Sequence, residues 1–295
     1  MQRRLHPLEK TVAVCALLGV LVLTIGFARA QETRGQKAEK AVFLRSSSAM
    51  VLDAHTGEVM INKNADAVVP IASITKLMTA MVILDRGLDL DQRVVLSRVD
   101  TDTRKGSTSR LRSGGTLKRG ELLLLALMAS ENRAASALGR TYPGGLESFV
   151  DAMNTKAAAI DMTETRFVEP TGLSPANVST ASDLAKLVRA AHEYPVIREF
   201  STRDRATIKA GWGKRFQSLA YGNTNGLVRS KYWDIELSKT GYISEAGRCL
   251  VMHVRLAEKD LIVVLLDSWG KHSRIGDANR IKKWLESGAA VGRSS

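Results

Sequence analysis

The chain has 295 residues and a formal net charge of +13 at pH 7, with 43 lysine and arginine residues against 30 aspartate and glutamate residues. This excess of positive charge favours anionic partners. Aromatic residues make up only 5% of the chain, and neither a zinc-finger spacing nor a basic stripe with interleaved aromatics is present. Nucleic-acid binding is therefore not predicted.

The N-terminus has the pattern of an export signal. Basic residues near the start are followed by an uncharged apolar run over residues 11–27 and then by Ala28-Arg29-Ala30. We predict a signal peptide over residues 1–30, cleaved after Ala30, which delivers the protein to the periplasm. The alternative is an uncleaved anchor, because the run is just under the length of a spanning helix. Residues 31–45, mostly polar, are predicted to be a linker.

Removal of the signal leaves Cys249 as the one cysteine of the exported part. An internal disulfide is therefore excluded, and stability has to come from a hydrophobic core. Cys249 lies in a predicted strand and is expected to be a small buried apolar residue. For an exported basic protein, the expected anionic partners are the cell-wall polymer and, through a peripheral association, the membrane surface.

In chain order, two apolar runs at residues 48–53 and 58–63 flank a glycine-containing turn and predict a β-hairpin. A helix should begin at Ser73 and end near Gly87, which can cap its C-terminus. Residues 89–115 are polar with weak periodicity. They are predicted to form loops and short elements at the rim of a cleft.

The remaining elements are helices, then strands, then one helix. Thr116 is predicted as the N-cap of a helix whose leucine run is apolar nearly all round and hence buried. After a break at residues 130–132, the pattern predicts helices at 146–160 and 180–192, strands at 233–242, 249–254 and 261–266, and a helix at 278–285.

This order predicts an α/β fold in which an antiparallel sheet is flanked by helices and interrupted by an inserted all-helical lobe. One domain would cover residues 46–290. Its sheet lobe would comprise about residues 46–66 and 210–290, and its helical lobe about residues 67–209. A cleft should lie between the two lobes.

A serine and a lysine share one face at the start of the first predicted helix. Ser73 and Lys76 are three residues apart, which places the lysine amine about one turn from the serine hydroxyl. A serine beside an amine base is the minimum for nucleophilic catalysis without histidine. Apolar neighbours such as Leu77 could desolvate the amine and lower its pKa. The spacing alone is weak, because Ser268 and Lys271 repeat it.

Two further motifs raise the significance of this pair. Ser130-Glu131-Asn132 falls in the break between two predicted helices, and Lys239-Thr240-Gly241 falls on a predicted strand. The three motifs, in this order and on these elements, resemble the set shared by penicillin-binding proteins and class A β-lactamases. The resemblance implies the two-lobed fold of those serine enzymes.

Each motif residue has a chemical role in this set. Ser73 would attack a carbonyl with Lys76 as base, Ser130 would pass a proton to the leaving nitrogen, and Asn132 would orient Lys76 and a substrate amide. Lys239 and Thr240 would bind a substrate carboxylate, while Gly241 would allow close approach to the strand edge.

Two more site residues come from the resemblance alone. The backbone N–H groups of Ser73 and Tyr242 would form the oxyanion hole. Arg274 matches an arginine that binds the substrate carboxylate in the family; the alternative is a surface arginine near a helix start.

Within this superfamily, residues 48–286 are most similar to the low-molecular-mass D-alanyl-D-alanine peptidases. The likeness includes the segments at residues 73–80, 167–173, 179–185 and 223–227. It implies hydrolysis of peptidoglycan stem peptides through an acyl-enzyme, with β-lactam antibiotics as covalent inhibitors.

Two departures from the family pattern point to one subtype. Thr224 stands where family carboxypeptidases commonly carry an arginine, and the chain stops soon after Leu285, so their extra C-terminal β-domain and amphipathic anchor are not expected. Both features are similar to the penicillin-binding-protein-7 type of endopeptidase, which cleaves the D-alanine to diaminopimelate cross-link. A carboxypeptidase stays the alternative.

A β-lactamase and a non-catalytic wall-binding protein are the two other functions that the sequence allows. A β-lactamase would need a glutamate that activates water, and Glu169-Pro170 resembles that segment, but Leu173 stands where an asparagine is expected. A non-catalytic wall-binding protein is disfavoured because all three motifs are intact. No metal is predicted, because the histidines show no ligand spacing; these are His55, His192, His253 and His272. No cofactor is expected, and no phosphate-binding glycine loop is present.

Overall fold

A computed structural model describes residues 42–103, 105–212 and 215–292. The predicted signal peptide and most of the predicted linker fall outside these residues and stay predictions. The described residues from Phe43 onward belong to one structural unit. None of the helices in the described ranges is long and apolar enough to cross a membrane.

A five-stranded antiparallel sheet forms the centre of this unit. Its strands are β1 (Ser46–Asp53), β2 (Val59–Lys63), β9 (Asp234–Ile243), β10 (Gly247–Leu256) and β11 (Lys259–Ser268). They lie in the order β2-β1-β11-β10-β9. The predicted hairpin and the predicted three-stranded meander are both confirmed, and they join into one sheet through the pairing of β1 with β11.

Both faces of this sheet are covered. Residues 249–254 of β10 and 261–266 of β11 are buried without alternation, and successive strand residues point to opposite faces. Helices on the sheet explain this burial: α5 (Ala181–His192) and α7 (Ser273–Gly292) each pack against β1, β10 and β11. The final helix is longer than predicted and places Arg274 in its first turn.

The inserted region is built around α1 (Thr75–Asp85), in which residues 75–83 are all buried. Helices α2 (Arg119–Met128), α3 (Asn132–Arg140) and α4 (Gly145–Ala159), which pack against α1, match predicted helical segments. A further helix that contacts α1, α6 (Pro195–Thr202), was not predicted from the sequence. The antiparallel sheet flanked by helices confirms the predicted fold class.

The predicted helix start at Thr116 is wrong. Thr116 belongs to β5 (Thr116–Lys118), and α2 begins at Arg119. Thr116 pairs with Val95 in an antiparallel ladder, which suits a β-branched residue. The helix is capped instead by Glu121, whose carboxylate accepts the Lys118 N–H at 2.8 Å. Threonine is common at N-caps, but the pairing of β5 with residues 93–95 places Thr116 in a strand.

A second sheet was not predicted from the sequence. It has the order β4-β5-β7-β8, in which β4 is Arg93–Val95, β7 is Arg205–Trp212 and β8 is Arg215–Gly222. The β7–β8 hairpin crosses the predicted lobe boundary near residue 210, so the inserted region contains short strands beside its helices. The remaining pair, β3 (Val69–Pro70) and β6 (Val178–Ser179), lies next to the turn that precedes α1.

Candidate active site

Ser73 lies in a 3-10 turn, Ala72–Ile74, directly before α1. It is the one half-buried residue in the otherwise buried stretch 71–83. Ala72 has φ +48, in the left-handed region that residues with a Cβ rarely adopt. The Thr75 hydroxyl donates to the Ala72 carbonyl at 2.8 Å. The turn is therefore held in a strained shape that leaves the Ser73 side chain accessible.

Two glycines allow neighbouring segments to press against this turn. Gly172 has φ +80, and a Cβ built on it would lie 1.9 Å from the Ala72 carbonyl oxygen. A Cβ on Gly241 of β9 would lie 3.0 Å from the Ala72 Cβ and 3.1 Å from the Ser73 nitrogen. Strand β9 therefore runs directly beside Ser73, as the motif predicted, and Tyr242 follows with its side chain 56% exposed.

The Lys76 side chain is fully buried and ends among three oxygen atoms. Its Nζ lies 2.8 Å from Ser73 Oγ, 2.7 Å from Asn132 Oδ1 and 2.5 Å from the Thr171 carbonyl oxygen. Burial lowers the pKa of Lys76 to about 8, and the negative charges of Glu169 and Glu131 oppose this shift. At pH 7, about a tenth of the molecules therefore carry a neutral amine next to Ser73.

Ser130 and Asn132 occupy the reversal between α2 and α3. Ser130 has φ +56, which turns the chain, and the Glu131 carboxylate caps α3 by accepting the Arg133 N–H at 3.1 Å. The Asn132 amide accepts from Lys76 through Oδ1 and donates through Nδ2 to Ser107 Oγ at 3.0 Å. Asn132 therefore links Lys76 to the loop at the rim.

Lys239 crosses from β9 to the helical wall. It is buried, and its Nζ donates to Ser130 Oγ and to the Thr240 carbonyl oxygen, both at 2.9 Å. Burial is the main cause that holds the Lys239 pKa well below its usual value, and the positive charges of Lys76 and Arg274 add to it. The Thr240 hydroxyl donates to Thr224 Oγ1 at 2.6 Å. The side chains of the three motifs thus line one cleft.

Arg274 lies behind the strand edge. The Nη1 group of Arg274 donates to the carbonyl oxygens of Gly241 at 2.8 Å and Cys249 at 3.0 Å, and burial lowers its pKa. Its predicted contact with a substrate carboxylate stays a prediction. Cys249 is fully buried, and this burial raises its pKa to about 11, as expected for a small residue of the core.

Sequence reasoning missed a loop that supports Lys76. The Glu169 carboxylate accepts five hydrogen bonds from the chain that follows it; the donors are Thr171 N, Thr171 Oγ1, Gly172 N, Ser174 N and Asn177 Nδ2. These bonds hold the Thr171 carbonyl against Lys76 Nζ. The family-like segment 167–173 was noted in the sequence, but a backbone acceptor leaves no side-chain signal.

The sequence also gave no sign of the groups at the rim. Ser107 contacts Asn132, and Lys105 forms an ion pair with Glu245 in the β9–β10 turn. Ser107 and Lys105 come from the polar stretch 89–115, and its weak periodicity did not indicate either contact. The ion pair joins this loop to the β9–β10 turn.

Three possible metal ligands that are distant in sequence meet at the end of α5. The ligating atoms of His192, Glu236 and His253 all lie within 4.8 Å of one another. However, the two imidazole rings are stacked at 3.8 Å with an interplanar angle of 12°, and His192 Nε2 is hydrogen-bonded to Glu236 at 2.6 Å. Parallel rings do not direct their lone pairs at a common point, so the prediction of no metal is kept.

Comparison with known proteins identifies close relatives. The chain is 48% identical over 245 residues to the D-alanyl-D-alanine endopeptidase of Pseudomonas aeruginosa, a match that covers 83% of this chain and 78% of that one. It is 46% identical over 250 residues to the D-alanyl-D-alanine endopeptidase of Escherichia coli, covering 84% and 79%.

Solved structures show the same fold. The Streptomyces K15 DD-transpeptidase matches with a TM-score of 0.77 and 28% identity over 83% of this chain and 98% of that one. The D-alanyl-D-alanine carboxypeptidase of Mycobacterium tuberculosis matches with a TM-score of 0.75 and 26% identity, covering 85% and 95%. A family model described as D-alanyl-D-alanine carboxypeptidase covers residues 35–270. The chain therefore belongs to this family of serine peptidases.

Proposed function

We propose that the protein is a serine D-alanyl-D-alanine endopeptidase, which hydrolyses the D-alanine to diaminopimelate cross-links of peptidoglycan through an acyl-enzyme. The single observation that carries the chemistry is the contact of 2.8 Å between the buried Lys76 amine and the Ser73 hydroxyl. The names of the two relatives above 45% identity support the endopeptidase activity.

The partners of Lys76 fix the direction of proton transfer. A charged amine has three N–H groups, one for each of its three oxygen partners. When the amine loses one proton, Asn132 Oδ1 and the Thr171 carbonyl oxygen can still only accept. Ser73 is the one partner that can donate, so the lone pair of the neutral amine faces the Ser73 hydroxyl and can take its proton.

Acylation follows from this arrangement. Ser73 Oγ bonds to the D-alanine carbonyl carbon while its proton moves to Lys76, and the backbone N–H groups of Ser73 and Tyr242 stabilise the oxyanion. The carbon–nitrogen bond then breaks as Ser130 gives a proton to the leaving nitrogen, and the proton held by Lys76 restores Ser130. Water hydrolyses the ester and releases the shortened stem with Ser73 free.

Substrate binding uses the opposite wall. Lys239 and the Thr240 hydroxyl take the carboxylate next to the scissile amide, whose negative charge opposes the lowering of the Lys239 pKa and keeps the amine protonated. Asn132 orients the amide of the donor stem. Thr224 is short and uncharged where family carboxypeptidases commonly carry an arginine. This substitution leaves room beside Thr240 for a leaving group larger than one D-alanine.

The proposed location is the periplasm, after export by residues 1–30. There the positive charge of the chain favours the carboxylate-bearing peptidoglycan as substrate, with peripheral association at the membrane surface as a further contact. β-Lactam antibiotics would acylate Ser73 in place of the substrate.

A D-alanyl-D-alanine carboxypeptidase is the second candidate. The family description and the Mycobacterium tuberculosis structure favour it, and the same residues would perform the chemistry with D-alanine as the leaving group. A β-lactamase is disfavoured because the Glu169 carboxylate accepts five hydrogen bonds within its own loop. Such a carboxylate is a structural acceptor and not a base for water.

Product analysis tests the proposed function. The protein is incubated in parallel with a cross-linked dimeric muropeptide and with a monomeric pentapeptide, and products are identified by mass spectrometry. We expect the dimer to be cleaved into monomers and Ser73→Ala to abolish this cleavage, because the nucleophile is lost. If the pentapeptide loses its terminal alanine while the dimer stays intact, the protein is a carboxypeptidase.

The role of Lys76 has an internal control in the second serine-lysine pair of the chain. Lys76→Ala should slow covalent labelling by a fluorescent penicillin by about 10²- to 10⁴-fold, the range typical for loss of a general base. Lys271→Ala, which removes the exposed lysine of the Ser268 pair, should label at the normal rate. Equal labelling of the two variants would contradict the assignment of the base.

The structural role of Glu169 predicts a persistent acyl-enzyme. With a chromogenic cephalosporin in excess, we expect about one equivalent of chromophore, after which turnover stops. The cleaved ring nitrogen of a β-lactam stays attached to the acyl group and keeps water from the ester, and Glu169, held by five hydrogen bonds, is not free to act as a second base. Intact-mass measurement should then show the adduct on Ser73. Sustained rapid turnover would instead identify a β-lactamase.

A further inference from the structure

An arginine at the rim of the cleft is stacked on a buried tyrosine. The guanidinium carbon of Arg110 lies 3.9 Å from the ring centroid of Tyr221. Tyr221 is 6% exposed, whereas Arg110 is exposed. Burial is the main cause that raises the pKa of Tyr221 to about 12, so the ring is a neutral platform at pH 7. Stacking fixes the plane of the guanidinium, and its five N–H groups are more than the Tyr221 hydroxyl can accept, so donors remain for a ligand.

Across residues 42–103, 105–212 and 215–292, no acidic side chain forms an ion pair with Arg110. The nearby Glu131 carboxylate is buried and caps α3. An oriented, unpaired guanidinium at the mouth of a cleft is suited to bidentate binding of a carboxylate.

The loop that carries Arg110 is fastened to the catalytic wall. Ser107 Oγ accepts from Asn132 Nδ2 at 3.0 Å, and the carbonyl oxygen of Leu111 accepts from the Arg133 guanidinium. The two donor residues, Asn132 and Arg133, lie at the start of α3, two and three residues after Ser130. The position of Arg110 is therefore coupled to the residue that would protonate the leaving nitrogen.

The tyrosine platform belongs to the same wall. Tyr221 lies on β8, three residues before Thr224, whose N–H donates to the Met128 carbonyl oxygen at 3.1 Å and whose hydroxyl accepts from Thr240 at 2.6 Å. Thr224 therefore connects the strand that carries the Tyr221 platform to Thr240 and to the end of α2, two residues before Ser130.

We propose that Arg110 binds a second carboxylate on the leaving strand of a cross-linked substrate. This inference rests on the proposed function. A pentapeptide releases D-alanine, whose one carboxylate is taken by Lys239 and Thr240. A cross-link releases a whole stem peptide, which carries a further carboxylate at its own C-terminus. Arg110 would therefore select cross-links over pentapeptides and supply, from the loop, the positive charge that Thr224 lacks.

The test compares two substrates and three variants. For each protein, kcat/KM is measured for a dimeric muropeptide with a free C-terminal carboxylate on the leaving stem and for the same dimer with that carboxylate amidated. We expect Arg110→Ala to lower kcat/KM for the free-acid dimer about tenfold, mainly through KM, as for loss of a charge-assisted bidentate contact. Amidation of the dimer should lower kcat/KM of the normal protein by a similar factor. It should change kcat/KM of Arg110→Ala little further.

Two more variants make the result specific. Arg110→Lys keeps the charge without the planar fork and should recover part of the loss. Arg93→Ala removes an exposed arginine of β4 in the second sheet and should leave the kinetics unchanged. The rate of penicillin labelling, measured on every variant, reports whether the catalytic wall is intact.

Three results would overturn the inference. If Arg110→Ala does not change kcat/KM for the free-acid dimer, Arg110 does not bind the carboxylate of the leaving stem. If it slows penicillin labelling and both dimers equally, its role is structural. If the unmodified protein cleaves neither dimer but trims the pentapeptide, the endopeptidase function fails and this inference fails with it; cleavage of the dimer by the normal protein separates the first two results from the third.

Discussion

The rest of the site depends on the burial of one lysine amine. An unpaired ammonium in a protein interior costs several kcal/mol, and Lys76 is fully buried. Three oxygen atoms, from Ser73, Asn132 and Thr171, offset that cost. The remaining penalty is what lowers the pKa to about 8. The burial that destabilises the charged form of Lys76 therefore favours the neutral amine, which is the form that can act as a base.

Much of the surrounding structure serves to hold these oxygen atoms in place. The Glu169 carboxylate organises the loop that presents the Thr171 carbonyl, and Asn132 is held on its far side by Ser107. The absence of a Cβ at Gly172 and Gly241 lets two segments close on the strained turn before Ser73. Replacement of either glycine would displace the nucleophile without touching a reacting atom.

Features with a local signal could be predicted from the sequence. Ser73 and Lys76 are three residues apart in one helical turn, and the strands β10 and β11 contain long apolar runs, so both were found. The contact between Ser130 and Lys239, which are 109 residues apart, followed from a family resemblance and not from periodicity. The helix start at Thr116 was misplaced because pairing with β4 decided its conformation.

Other features had no signal that sequence reasoning could use. The β8 strand buries only Leu219 and Tyr221, so its alternation was too weak to reveal the second sheet. The Thr171 acceptor is a backbone group, and the stacking of Arg110 on Tyr221 joins residues far apart in the chain. In each case the decisive contact is tertiary, and composition and spacing carry no record of it.

The central claim is that Lys76 acts in its uncharged form as the base that takes the proton of Ser73. It is tested most directly by the second-order rate constant for acylation by a penicillin between pH 6 and 9.5. Because the neutral amine is the reactive form and its pKa is about 8, the rate should rise about tenfold per pH unit below pH 7 and level off above pH 8. A rate that is independent of pH from 6 to 9, or that still rises without levelling at pH 9.5, would contradict the account.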